Sequence, residues 1–239
     1  LTVNSYITIL VLAVVTPPMI ALAGLCAVFD PRGNGSHLVA RFWARLLLRA
    51  SLVRVEVSGL ENLDADGTYV FAANHSSLFD IPVLLAYLPF QFRWLAKEEL
   101  FHIPGFGWGM RKAGYIPINR NNPREGVQSL KVAAEKIEAG TSVVIFPEGT
   151  RSKDGRIQDF KRGGFTIAVR SGRPMVPISI SGAGRVLPSK TLTLRPGRIK
   201  LVLGRPIPTA GVDRGGQADL MNQVRSAITH NFDPEYGSD

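Results

Sequence analysis

His75 and Asp80, five residues apart in Asn74-His75-Ser76-Ser77-Leu78-Phe79-Asp80, are the side chains best suited to moving a proton. A carboxylate bonded to one nitrogen of an imidazole fixes the tautomer and makes the other nitrogen a better base. Residues five apart do not face each other along a helix. Across a loop that enters a helix, however, the carboxylate can fold back onto the ring. The surrounding sequence allows this, with an apolar strand pattern over Tyr69–Ala73 and an apolar run from Ile81 to Leu88. The same residues also have a purely structural reading. Ser77-x-x-Asp80 resembles a capping box, and Asp80 alone could cap a helix beginning near Pro82. Ser76 does not complete a serine triad, because adjacent side chains diverge in an extended loop and there is no G-x-S-x-G elbow. His37, His102 and His230 are dispersed, no H-E-x-x-H occurs, and Cys26 is the single cysteine. Neither a metal site nor a cofactor is expected. Gly182-Ala183-Gly184 lacks the third glycine and the helix of a dinucleotide loop.

Three more blocks follow in order. Gly114-Tyr115-Ile116-Pro117-Ile118-Asn119-Arg120 ends a strand pattern with an arginine. Phe146-Pro147-Glu148-Gly149-Thr150-Arg151-Ser152 ends the next with a glutamate, a glycine free to take positive φ, and a second arginine. Val176-Pro177-Ile178-Ser179-Ile180 comes later. With the His75–Asp80 block, these resemble the glycerolipid acyltransferase family over about residues 60 to 190. The H-x-x-x-x-D and F-P-E-G-T-R-S combination is the most specific part.

The resemblance implies that His75 is a general base oriented by Asp80. It implies acceptor-binding roles for Arg120, Glu148, Gly149 and Arg151, which would hold a phosphate. Pro177 matches a position assigned to the donor or to pocket shape, and Lys97 one where a phosphate-contacting lysine is common. Each has a plainer reading. Lys97 is followed by Glu98 and Glu99 and suits a solvated surface pair, Arg120 suits lipid headgroups, and Arg151 suits an ion pair with Glu148. The implied reaction carries an acyl group from acyl-CoA or acyl carrier protein to the 2-hydroxyl of a 1-acylglycerol 3-phosphate. Glycerol 3-phosphate or another lyso-lipid is the alternative acceptor. A lipid hydrolase, or a lipid-binding protein with an inert His75–Asp80 loop, are readings from other classes.

The elements that would position these residues alternate. Val53–Val57, Tyr69–Ala73, Phe92–Ala96, Tyr115–Ile118, Ser142–Phe146, Met175–Ile180 and Arg198–Leu203 read as strands, and Arg124–Ala139 and Gln217–Asn231 as helices. This predicts an α/β fold over residues 52–239, with a mixed, largely parallel sheet flanked by helices. Phe101–Met110 reads equally as an acyl-channel wall, a bilayer contact or an aromatic core loop.

Residues 1–51 form a separate membrane-anchoring segment in this reading. No charged residue occurs from Leu1 to Phe29. A helix of that length would reach ~40 Å, against a ~30 Å hydrocarbon core. Pro17-Pro18 predicts a break midway, giving either a kinked span or a kinked helix dipping into one leaflet. A cleaved signal peptide fits poorly, without a basic n-region or an A-x-A site. Arg41, Arg45 and Arg49 then stripe one face of a helix that also carries Trp43 and leucines, as interfacial helices do.

Overall, 28 Lys and Arg face 19 Asp and Glu, for a charge of +9. Such a surface favours anionic lipid or phosphate; no nucleic-acid module accompanies it, so nucleic acid is not expected as a partner. The chain should sit on a membrane, with the site on the cytoplasmic face.

Overall fold

A computed structural model describes residues 2–119, 122–213 and 215–237. The chain runs through α1 (Val3–Phe29), α2 (Asn34–Ala50), β1 (Val53–Ser58), β2 (Val70–Ala73), α3 (Asp80–Tyr87), β3 (Phe92–Lys97), α4 (Phe106–Lys112) and β4 (Ile116–Ile118). It continues through α5 (Pro123–Glu138), β5 (Ser142–Ile145), α6 (Arg162–Ser171), β6 (Met175–Ser181), α7 (Ala183–Val186), β7 (Gly197–Leu203) and α8 (Gln217–Asn231). Every strand expected from the sequence is present, with ends shifted by one residue at most.

The strands form one sheet in the order β1-β7-β6-β2-β5-β3-β4. All neighbours are parallel except β6 and β7. Side chains on β2 alternate between two apolar layers. Phe71 and Ala73 enter the layer that includes residues of α2 and α3, while Val70 and Ala72 enter the one built with α5, α6 and α8. A sheet covered on both faces explains why β2, β5 and β6 read as continuous apolar runs. It also brings the carboxyl ends of β2, β5 and β3 side by side along one edge, where loops in α/β folds carry chemistry.

Helix α1 continues through Pro17 and Pro18, where the sequence predicts a break. Each proline removes a donor from the helical ladder. Tertiary bonds hold the turns on either side. Trp43 Nε1 donates to Thr16 Oγ1 (3.2 Å) and Ser36 Oγ to the Ala23 carbonyl (2.7 Å). At the other end Asn4 donates to the Ser51 carbonyl (3.0 Å). These pairings run α1 antiparallel along α2. Of the arginine stripe, Arg45 and Arg49 are exposed and Arg41 is partly buried.

The turn between the two helices is pinned to the sheet by a buried guanidinium. Arg93 on β3 donates to the Arg32 carbonyl and to Asn34 Oδ1, both at 2.7 Å, and to the Phe92 carbonyl at 2.9 Å. Next to it the buried His37 ring sits edge-on to Phe92, with centroids 4.5 Å apart. Burial, reinforced by Arg93 and Arg41, pushes its pKa down to about 3, so His37 is neutral. Replacing Arg93 by Met takes the donor from three acceptors, of which the Phe92 carbonyl is buried and the other two partly so. Urea unfolding should show a loss of about 1–3 kcal/mol, the cost of one stranded buried group.

Candidate active site

β2 ends at Ala73, and the next side chain fixes how the loop leaves the sheet. Asn74 accepts from the Ile180 amide (2.7 Å) and donates to the Ile180 carbonyl (2.9 Å), prolonging the β2–β6 pairing by a side chain. His75 follows directly. Its Nδ1 lies 2.7 Å from Asp80 Oδ2, which also accepts from the amides of Ser76 and Ser77 at 2.8 Å each. Helix α3 begins at Asp80 itself, two residues before the expected start. The carboxylate turns back toward the loop instead of capping its helix. Only half of the Ser77-x-x-Asp80 capping box forms: Asp80 accepts from the Ser77 amide, but Ser77 Oγ accepts from the Phe79 amide and donates to the Leu187 carbonyl.

With Nδ1–H donated to Asp80, Nε2 is the basic nitrogen. The His75 side chain is 13% exposed, which leaves its edge reachable. Its face is not: the ring stacks on Phe146 at 3.9 Å between centroids, 12° from parallel. The His75 carbonyl accepts from the Ser152 amide (2.8 Å), tying the loop after β2 to the loop after β5.

Glu148 makes the second tie. One oxygen accepts from the His75 amide (2.7 Å) and the other from the Gln158 amide (3.1 Å). The side chain is buried, and burial pushes its pKa up to about 7 although both amides and the nearby imidazole pull downward. Gly149 takes φ +77°, a left-handed backbone that favours glycine; a Cβ there would lie 3.0 Å from Lys161 Cδ, the flexible end of a side chain that can shift. Among the described residues no ion pair joins Glu148 to Arg151.

A cavity of about 730 Å³ opens from this edge, bounded by α1, α2, α3 and α4 and lined mostly by apolar side chains such as Leu12, Trp43, Leu85 and Met110. His75, Lys97, Gly149, Thr150 and Arg151 also line it. Its size and character suit a hydrophobic ligand with a polar head. Lys97 ends β3 and pairs with Glu99 at 2.9 Å, with both side chains about half exposed, so the surface pair and the cavity position coexist. Asp80 and Glu148 stand behind the cavity wall as supports. Pro177 lies within the buried β6, against Gly204, and is not part of that wall. Arg120 lies outside the described residues.

Sequence reasoning missed four contributors: Asn74, Phe146, Ser152 and the Gln158 amide. Asn74 and Phe146 flank the motif residues directly, and a polar residue ending an apolar strand was the available signal. A backbone amide ten residues from Glu148 carries none.

A family model described as Acyltransferase matches residues 54–181, more than half of the chain. The 1-acyl-sn-glycerol-3-phosphate acyltransferase of Pseudomonas aeruginosa is 31% identical over 82% of this chain and 77% of its own length. The chloroplastic enzyme of the same name from Arabidopsis thaliana is 36% identical over 94% of this chain. The chain spans 60% of that plant relative's length. The crystal structure of PlsC, the 1-acyl-sn-glycerophosphate acyltransferase of Thermotoga maritima, superposes with a TM-score of 0.77 at 28% identity. That likeness covers 95% of this chain and 91% of the other.

The raised Glu148 pKa has a measurable sign. The folded protein holds this proton up to pH about 7, against an ordinary 4.5. Its contribution to stability is therefore full below pH 4.5 and is lost as pH rises through 7. Glu148→Gln does not titrate. Relative to that variant, the wild type should lose ~3 kcal/mol between pH 4.5 and about 8, at ~1.4 kcal/mol per unit. Urea unfolding of both proteins across this range checks it, and parallel curves would count against the shift.

Proposed function

Because the chain belongs to the acyltransferase family, we propose that it transfers an acyl group from a thioester to the 2-hydroxyl of 1-acylglycerol 3-phosphate, yielding phosphatidic acid. The observation that carries this is His75, held by Asp80 behind it, on the wall of an apolar cavity that Arg151 shares. In the reaction, His75 Nε2 removes the hydroxyl proton as the oxygen attacks the thioester carbonyl. The tetrahedral intermediate then collapses, the C–S bond breaks, and the imidazolium returns the proton to the departing thiolate. Asp80 balances the charge that His75 carries between the two steps. No side chain forms a bond to the acyl group. The donor is acyl-CoA or acyl carrier protein, both anionic thioesters suited to the +9 chain.

We read residues 1–51 as the membrane anchor and 52–239 as the catalytic domain, with α1 lying in one leaflet of the cytoplasmic face. The support is how α1 is held. It is long and apolar enough to cross a bilayer by length and composition, yet it is tied along its length to α2. A perpendicular span would drag Arg45 and Arg49 of α2 into the hydrocarbon, at ~2.5–3.5 kcal/mol for each arginine at mid-bilayer. An in-plane anchor leaves those arginines at the headgroups of a cytoplasmic, anionic leaflet. The cavity, bounded by α1, would then admit a lyso-lipid without lifting its chain into water.

Purified protein given labelled acyl-CoA and a panel of lyso-acceptors tests the reaction. Phosphatidic acid should form from 1-acylglycerol 3-phosphate, and free fatty acid as the main product would indicate a hydrolase instead. His75→Ala should lower turnover by ~10²–10⁴, the usual worth of a positioned general base, while circular dichroism stays unchanged. Near-normal turnover would remove His75 from the mechanism.

Arg151→Ala should weaken a phosphate-bearing acceptor by ~10–100-fold in kcat/KM, as hydrogen bonds to charged groups are worth ~1.5–3 kcal/mol. A neutral analogue should be much less affected. Equal losses for both acceptors would make Arg151 a support of the loop.

A further inference from the structure

We infer that the segment from Ile103 to Lys112 is a second lipid-contacting surface, which seats on an anionic leaflet beside α1. This rests on the membrane reading above and adds to it a surface contributed by the α/β domain. Ile103, Phe106 and Trp108 are 47%, 39% and 45% exposed, an unusual grouping of large apolar side chains around one short helix. Pro104 and Gly105 between them are exposed as well.

This patch is continuous with α1. The Trp108 ring packs where Gly24 of α1 leaves room, so closely that any side chain at 24 would collide with it. One turn earlier on α1, Ile20 approaches Gly109. Val28, one turn beyond Gly24 on the same side of α1, and the neighbouring Leu25 are exposed and extend the apolar surface beside Trp108. The inner side of the segment serves the cavity, through Phe106, Gly109 and Met110.

Charge defines the partner. Arg111 and Lys112 are exposed at the end of α4, and the backbone of Lys112–Ala113 lies against Gly33, next to the exposed Arg32. Lys112 Nζ stands 5.8 Å from the Trp108 ring and Arg111 is 5.7 Å from that of Phe101. Two nearby acids have partners of their own. Glu99 pairs with Lys97, and Asp30 accepts from the amides of Arg32 and Gly35. An apolar row bordered by an aromatic ring and three cations is the pattern of a surface seated at the headgroup level. Water-soluble anions would use the cations but leave the apolar row unaccounted for.

Site-directed spin labelling on the full chain tests this. In a Cys26→Ser background, Ile103→Cys carries the label, with Asn222→Cys on the opposite sheet face as control. Vesicles of phosphatidylcholine, with and without phosphatidylglycerol, are the probe. On bound protein the label at 103 should become oxygen-accessible and shielded from a water-soluble nickel complex, while the control stays nickel-accessible. Lys112→Ala should weaken binding to the phosphatidylglycerol vesicles about fivefold, the effect of one basic residue near such a surface, with little change on pure phosphatidylcholine. A bound protein whose label at 103 remains nickel-accessible overturns the inference and leaves the α1 anchor standing. Equal effects of Lys112→Ala on both vesicles overturn its electrostatic part. Concentration-dependent shielding at 103 without vesicles would assign the patch to a second copy of the chain. A wild type that binds neither vesicle removes the anchor reading as well as this one.

Discussion

One oxygen of Asp80 receives three N–H groups: the imidazole Nδ1–H of His75 and the amides of Ser76 and Ser77. The first sets the tautomer of the base. The other two curl the loop so that the base returns over the end of β2. Without the carboxylate, two buried amides would lose their acceptor and the ring its orientation at once. The orientation of the His75 ring and the geometry of the loop are thus the same set of bonds, and the start of α3 at Asp80 follows from them. Charge-assisted hydrogen bonds of this kind are about twice as strong as neutral ones, which suits a loop that must hold one conformation.

A second carboxylate supports the same loop from the other side. Glu148 takes the His75 amide on one oxygen and the Gln158 amide on the other, so the loops after β2 and β5 share an anchor. Two donors favour the anion, while burial opposes it and prevails enough to bring the group close to neutrality. The family resemblance assigns Glu148 to acceptor binding, while its contacts here are with the two loop amides. Among the described residues, Arg151 and Lys97 are the cations that line the cavity.

Apolar packing shapes one wall of the cavity. α1 closes that side and is itself mostly exposed on its other face, which under the proposed function would face lipid. Arg93 ties the α1–α2 turn to β3 beneath it, which makes these two helices part of the α/β domain's packing. In the proposed membrane reading, a helix pair fixed in this way presents the site at a constant depth. A flexibly tethered span would not.

Local patterns in the sequence determined the strands, the two long helices of the α/β domain and the pairing of His75 with Asp80. Period-two and period-3.6 burial, and a motif only a few residues long, are short-range properties that neighbouring residues carry. Only the tertiary structure decided the rest. The sequence predicts a break at Pro17-Pro18, yet packing on α2 outweighs the two missing donors and the helix continues. Asp80 is ambiguous between cap and catalytic partner until the direction of its carboxylate is known. That Glu148 joins amides on two separate loops is likewise visible only in the folded chain. Arg93 and His37 carry no motif at all, because what makes them matter is burial, and burial depends on residues distant in the chain.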